Sequence, residues 1–231
     1  MDIRYENRNV VVTGASGELG AAVVRALVEA GAVCHLPVRG EAAAHELEFE
    51  TRDRVRVTGG VSLDVEAQVA GYYASLPVLW GSIHCAGGFA MAPFEETSLA
   101  DFGRMHAMNT LSAFLCSREA VRRLPAGGRI VNVAAEAGIE PRRGAGKIAY
   151  TMSKASVVAM TLALSEEVAP RGIWVNAVVP STMDTKANRA AMPKADFSRW
   201  ATLPSVAATI VFLASPQNEV TRGALVPVYG R

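Results

Sequence analysis

The sequence predicts a doubly wound α/β fold, with one parallel sheet of seven strands and helices on both faces. Three observations predict it. Short apolar runs rich in Val and Ile alternate with longer amphipathic stretches along the whole chain. The first run leads directly into a glycine-rich turn and then a helix. The 231 residues are 50% hydrophobic, which suits one large domain with a substantial core.

Val10-Val11-Val12, within Asn9 to Thr13, is the uninterrupted apolar run of a parallel strand buried on both faces. Thr13-Gly14-Ala15-Ser16-Gly17-Glu18-Leu19-Gly20 follows, and an amphipathic helix runs to about Ala30. Glycine lets the backbone turn sharply and approach a pyrophosphate. The helix N-terminus adds free N–H groups and the positive end of a dipole. Strand, turn and helix together form a Rossmann-like dinucleotide fingerprint, although a tight turn alone also favours Gly. Its candidate cofactor residues are Gly14, Ser16, Gly17, Leu19 and Gly20. Glu18 is out of place beside a phosphate and is expected to point outward. The second strand, Ala32 to Val38, ends at Arg39, where the adenosine ribose belongs. A carboxylate there would bind a 2′-hydroxyl, whereas Arg suits a 2′-phosphate. NADP(H) is therefore favoured over NAD(H).

A polar helix to about Glu50 comes next. A third strand, Arg54 to Leu63, is interrupted by Gly59-Gly60, and Asp64 is a plausible N-cap for the helix after it. Leu79 to Ala86 is the fourth strand, and Gly87-Gly88 would let the chain pass close to a cofactor. A helix from Ser98 to Leu124 carries Asn109 in its middle. Asn is a mediocre helix former, so its presence there invites either a function or a kink. Gly128 to Ala134 is the fifth strand, and Ala135 to Gly146 is a glycine-rich loop with Arg142-Arg143. The helix of Tyr150 and Lys154 runs to about Pro170, and Ile173 to Val179 is the sixth strand, stopped by Pro180-Ser181.

From Ser181 to Trp200 the periodicity lapses, and a connection of that length reads as a lid. Met183, Met192, Phe197 and Trp200 give it apolar surface to close over a substrate, with Arg142 and Arg143 adding polar walls. A helix, Pro204 to Ala214, and a seventh strand, Ala224 to Val228, complete a single dinucleotide-binding domain over residues 1–231.

Charge excludes some function classes. With 23 basic and 22 acidic residues the net charge is +1, so nothing favours nucleic acid or an anionic membrane surface. No apolar run reads as a membrane span, and no metal-ligand spacing is visible. Cys34, Cys85 and Cys116, odd in number and in apolar surroundings, read as reduced, packed thiols of a cytoplasmic protein.

Tyr150-Thr151-Met152-Ser153-Lys154 carries the candidate chemistry. Its spacing puts Tyr150 and Lys154 on one helix face, one turn apart. A phenol ionises near pH ~10, and an adjacent ammonium is expected to lower that value. Such a pair can give a proton to a carbonyl oxygen or take one from an alcohol.

Thr13-Gly14-x-x-Gly17-x-x-Gly20, Asp64-Val65, Ala86-Gly87, Asn109 and Tyr150-x-x-x-Lys154 stand in the order seen in short-chain dehydrogenases/reductases, and the whole chain resembles that family. The resemblance implies that Tyr150 is the acid/base. It also implies that Lys154 holds the nicotinamide ribose and that Asn109 supports a water-linked proton path. Asp64 and Val65 would flank the adenine, Ala86 and Gly87 would line the cofactor, and Pro180, Thr182 and Thr185 would border its nicotinamide end. It implies a homodimer or homotetramer as well, formed through the apolar outer faces of the Ser98–Leu124 and Tyr150–Pro170 helices. The 184–200 stretch, with Met192-Pro193 and Asp196-Phe197-Ser198-x-Trp200, looks like the matching stretch of quinonoid dihydropteridine reductases.

Departures from the family pattern bend the substrate expectation. Most members have a substrate-binding Ser after the fifth strand, and here the stretch reads Val133-Ala134-Ala135. Losing one such hydrogen bond costs about 10²–10³ in rate for a ketone, and less for an electron-poor C=N or quinonoid bond. The expected function is an NADPH-dependent reductase of a C=O, C=N or quinonoid bond in a small molecule. The alternatives are a non-catalytic dinucleotide-binding scaffold or sensor, and a dehydratase or isomerase on the same fold.

Overall fold

The computed structural model describes residues 3–40 and 52–230. The helix expected up to about Glu50 lies outside them. The strands are β1 Asn9–Thr13, β2 Val33–Pro37, β3 Val55–Thr58, β4 Gly81–His84, β5 Arg129–Val133, β6 Trp174–Pro180 and β7 Leu225–Val228. They pair in the order β3-β2-β1-β4-β5-β6-β7, every pairing parallel. The strand order reverses between β1 and β4, so the crevice beyond their C-terminal ends is where a ligand belongs in such a sheet.

Helices cover both faces because the strands are apolar on both. On one face α1 (Glu18–Glu29) packs with α8 (Leu203–Leu213) around Val23, Leu27, Val206 and Ile210. On the other, α2 (Glu66–Ser75) and α4 (Ser112–Arg123) bury Val69, Tyr73, Leu115 and Ala120. Beside them α6 (Ile148–Glu167) packs on β5 and β6, with Val157 in its own small core. By length and mean hydropathy (1.2) α6 matches a membrane span, which the sequence reading missed. Lys154 and Ser165 are nevertheless buried on it against the sheet, as on the core helix of a layered domain.

Several boundaries differ from expectation, each for a local reason. β3 stops at Thr58, because Gly60 takes φ +71° and the next residue, Val61, turns to bond the Val38 carbonyl. Asp64 does not cap α2: its carboxylate accepts from the Ser62 hydroxyl at 2.6 Å, and Val65 takes the cap position. The long helix around Asn109 is α3 (Leu99–Met105), a π-helical stretch (His106–Leu111) and α4. The loop after β5 contains a short helix, α5 (Glu136–Ile139). The 181–200 segment contains α7 (Lys186–Ala191), capped by the Thr185 hydroxyl. Leu111, Phe114, Met152 and Leu162 stay exposed on the outer faces of the long helices.

A buried polar chain runs beneath β4 and β5. The Ser82 hydroxyl pairs with Tyr73 and with Nε2 of His84. Nδ1 of His84 pairs with Oδ1 of Asn132, whose amide donates to Thr161. That order makes Nδ1 the protonated nitrogen and keeps the imidazole neutral. Burial pulls the His84 pKa down from 6.5 to about 4. The folded value is the depressed one, so the contribution is complete above pH 6.5 and is lost as pH falls toward 4. There the unfolded chain takes a proton that folded His84 refuses. The loss reaches about 3 kcal/mol. Between pH 7.5 and 4.5 the free energy of urea unfolding is expected to fall by about 2–3 kcal/mol less in His84→Gln than in wild type, and an equal fall would clear His84 of the effect.

Candidate active site

The crevice beyond β1 and β4 holds two adjoining clefts. The first, about 350 Å³, is lined by Gly14, Ser16, Gly17, Arg39, Asp64, Ala86 and Gly87. The second, about 280 Å³, is lined by Leu19, Gly87, Tyr150, Lys154 and Pro180, together with Phe89, Ala134, Ala135, Ser181 and Met183. Cys85 and Gly87 line both, so the two are halves of one groove.

The glycine turn is built by close backbone approach. Gly14 sits at φ +70°, and a Cβ there would lie 2.6 Å from the Ala86 nitrogen; that N–H donates to the Thr13 hydroxyl. Gly20 does not line the groove: it packs behind Gly14, where a Cβ would lie 2.2 Å from the Gly14 carbonyl oxygen. α1 starts at Glu18, and Ser16, Gly17 and Leu19 around its start line the groove. At the outer end the Arg39 guanidinium, 72% exposed, stands 3.7 Å from the Asp64 carboxylate. The Ser62 hydroxyl, more than Arg39, holds Asp64 below the usual carboxylate range.

Asn109 is wholly buried in the π-helical stretch, and its amide is committed. It donates to the Gly88 carbonyl and the Ser153 hydroxyl, both at 3.0 Å, and accepts from Gly88 N–H at 2.9 Å. It thereby pins the Gly87–Gly88 loop against α6. Ser153 in turn donates to the Tyr150 carbonyl, so its hydroxyl does not reach the groove.

Tyr150 stands in the first turn of α6 and Lys154 one turn on, and both face the second cleft. The Lys154 ammonium donates to the Val133 carbonyl at 2.8 Å. The expectation that it lowers the Tyr150 pKa fails: burial pushes the phenol up to about 12. Burial also pulls Lys154 down to about 8, against an upward pull from Cys85. Desolvation of the charged form is the leading cause at both groups. Tyr150 is thus held protonated at neutral pH, the form that donates.

Other expected positions fall elsewhere. Val65 is 41% exposed at the start of α2. The Thr182 carbonyl accepts from Ala201 and Thr185 caps α7, and neither is among the residues lining the two clefts. Arg143 pairs with Glu136 at 2.8 Å, and neither Arg142 nor Arg143 walls a cleft. Cys85 packs against the core, as expected of it, and also lines the groove. Among the described residues no cluster of His, Cys, Asp and Glu could hold a metal ion. Phe89 and Met108 were missed by sequence reasoning. The aromatic directly after Gly87-Gly88 was a usable signal for Phe89; Met108 reaches Gly88 only through the fold.

Glu18 turns away from the groove, and its carboxylate accepts the backbone N–H of Lys186 at 2.9 Å. The 181–200 segment is thereby tied to the glycine turn. Glu18→Ala is expected to speed tryptic cleavage at Lys186, Arg189 and Lys194 several-fold; unchanged cleavage would mean the bond carries no restraint.

The short chain dehydrogenase profile matches residues 8–196. The chain belongs to the short-chain dehydrogenase/reductase family. Two relatives illustrate its breadth. A cyclic-di-GMP-binding biofilm dispersal mediator protein of Escherichia coli K12 is 30% identical, covering 98% of this chain and 97% of its own. A 2-dehydro-3-deoxy-L-rhamnonate dehydrogenase (NAD(+)) of Sphingomonas sp. SKA58 is 34% identical, over 79% of this chain and 74% of its own. Among solved structures, a short-chain dehydrogenase/reductase of Brucella melitensis superposes with a TM-score of 0.88 at 27% identity, covering 100% of this chain and 98% of its own. This short-chain oxidoreductase family binds a nicotinamide dinucleotide and acts on small molecules.

Proposed function

We propose that the chain is an NADPH-dependent reductase of a C=O, C=N or quinonoid bond in a small molecule. The observation that carries this reading is one groove with the glycine turn and Arg39 at one end and the Tyr150 hydroxyl and Lys154 ammonium at the other. The residues fit a dinucleotide: the first-turn N–H groups of α1 suit a pyrophosphate. The Lys154 ammonium has three protons and one protein partner, which leaves donors for a ribose. When bound, the nicotinamide supplies the hydride. Tyr150 gives the proton to the reacting oxygen or nitrogen, and Lys154 orients the ribose. Asn109 fixes the loop that walls the cleft, and the 181–200 segment closes over it as a lid, excluding water.

The cofactor preference rests on Arg39, whose fork suits a 2′-phosphate, while Asp64 beside it limits the gain. Fluorescence titration is expected to give NADPH a dissociation constant about tenfold below that of NADH, and Arg39→Ala is expected to abolish the difference. Failure of both nucleotides to bind below millimolar levels would end the reading.

A second reading, a nucleotide-binding sensor without turnover, draws on Ala134-Ala135 in place of the usual Ser and on the name of the Escherichia coli relative. NADPH oxidation with ketones, quinones and cyclic imines separates the two. We also infer a cytoplasmic homodimer or homotetramer, supported by the outward Leu111, Phe114 and Leu162.

A further inference from the structure

Polar side chains of the second cleft are almost all spoken for within the protein. Ser181 donates its hydroxyl to the Tyr229 carbonyl at 2.8 Å. Lys154 is buried on the Val133 carbonyl and its remaining donors are reserved for the ribose, while Asn109, behind the cleft, spends its amide on Gly88 and Ser153. Ala134 and Ala135 stand where a hydroxyl would otherwise face the substrate. What remains is the Tyr150 hydroxyl and the weak thiol of Cys85 among apolar walls. Phe89 stands over this opening. Its ring lies 4.9 Å from that of Tyr150 with planes 72° apart, yet it is 59% exposed. Phe89 lines the cleft and keeps part of its ring open, so it offers an apolar face to whatever enters.

A molecule bearing several hydroxyls would lose its water there and find one partner, so each further hydroxyl counts against binding. A flat ring would lose little and would gain the aromatic edge of the cleft. Resting on the reductase reading above, we propose that the substrate is a flat, conjugated, largely apolar ring carrying a single reducible oxygen or nitrogen. Phe89 selects it by packing on the ring while Tyr150 meets the reacting atom. Phe89 is here a specificity residue and takes no part in proton transfer.

The test compares a bicyclic aryl ketone, 1-tetralone, with dihydroxyacetone. Calorimetry with NADP⁺ present reads binding without turnover, and NADPH oxidation reads kcat and KM. Tetralone is expected to bind about tenfold or more tightly than dihydroxyacetone. Phe89→Ala is expected to raise its dissociation constant and KM about tenfold with kcat nearly unchanged, and Phe89→Tyr to restore both. Phe89 is exposed, so neither variant threatens the fold. Dihydroxyacetone binding as tightly as tetralone, or no response to Phe89→Ala, would overturn the proposal. If NADP⁺ itself fails to bind, the reductase reading falls and the proposal with it. If NADP⁺ binds and the ring does not, the proposal alone falls.

Discussion

Tyr150→Phe is expected to lower kcat for reduction about 10²–10⁴-fold while NADPH binds almost as tightly as before. Apart from the Lys154 ammonium, assigned to the ribose, the hydroxyl is the strong hydrogen-bonding side chain left uncommitted in the second cleft, and burial keeps it protonated. Removing one oxygen leaves the ring, its contact with Phe89 and the α6 backbone in place. The loss should therefore appear in turnover and not in stability. Thermal unfolding, nucleotide titration and steady-state rates on the same preparation separate these. Full turnover in the variant would assign the proton to another group.

Gly14→Ala is expected to cost about 2–5 kcal/mol of stability and to weaken NADPH binding more than tenfold. Two penalties coincide there. The residue sits at φ +70°, and its new Cβ would lie 2.6 Å from a backbone nitrogen of Ala86, which cannot swing aside. The turn and the chain after β4 would have to part, opening the groove where its two halves meet. Gly17→Ala is the control: its Cβ would come no nearer than 3.4 Å to the Gly14 carbonyl oxygen, so it should unfold close to wild type. Denaturant titration of both variants checks the pair; equal losses would mean the close approach is not what the turn requires.

Most strands were legible because a buried parallel strand is a short, largely apolar run, as in Val10-Val11-Val12; the sheet then reorders them, with β2 and β3 on one side of β1 and β4 on the other. The glycine turn and the Tyr150–Lys154 face were legible because both are local, one set by backbone conformation and the other by helical periodicity. What sequence could not give depends on distant partners. Asn109 meets Gly88 across a chain separation of 21 residues, and its helix takes a π-helical stretch there. Glu18 meets Lys186 across 168 residues, which turned an odd charge in a phosphate turn into a tie to the 181–200 segment. Arg143 was drawn off by Glu136 and Glu140. The Tyr150 pKa went the other way because proximity to an ammonium is visible in a motif, whereas the depth of burial is not.

A crystal structure with NADPH bound tests the central claim most directly. The account predicts the pyrophosphate on the N–H groups of the first turn of α1, the Lys154 ammonium on the nicotinamide ribose, and the Tyr150 hydroxyl facing the nicotinamide ring. A nucleotide lying elsewhere, or a Tyr150 hydroxyl turned away from that ring, would contradict it.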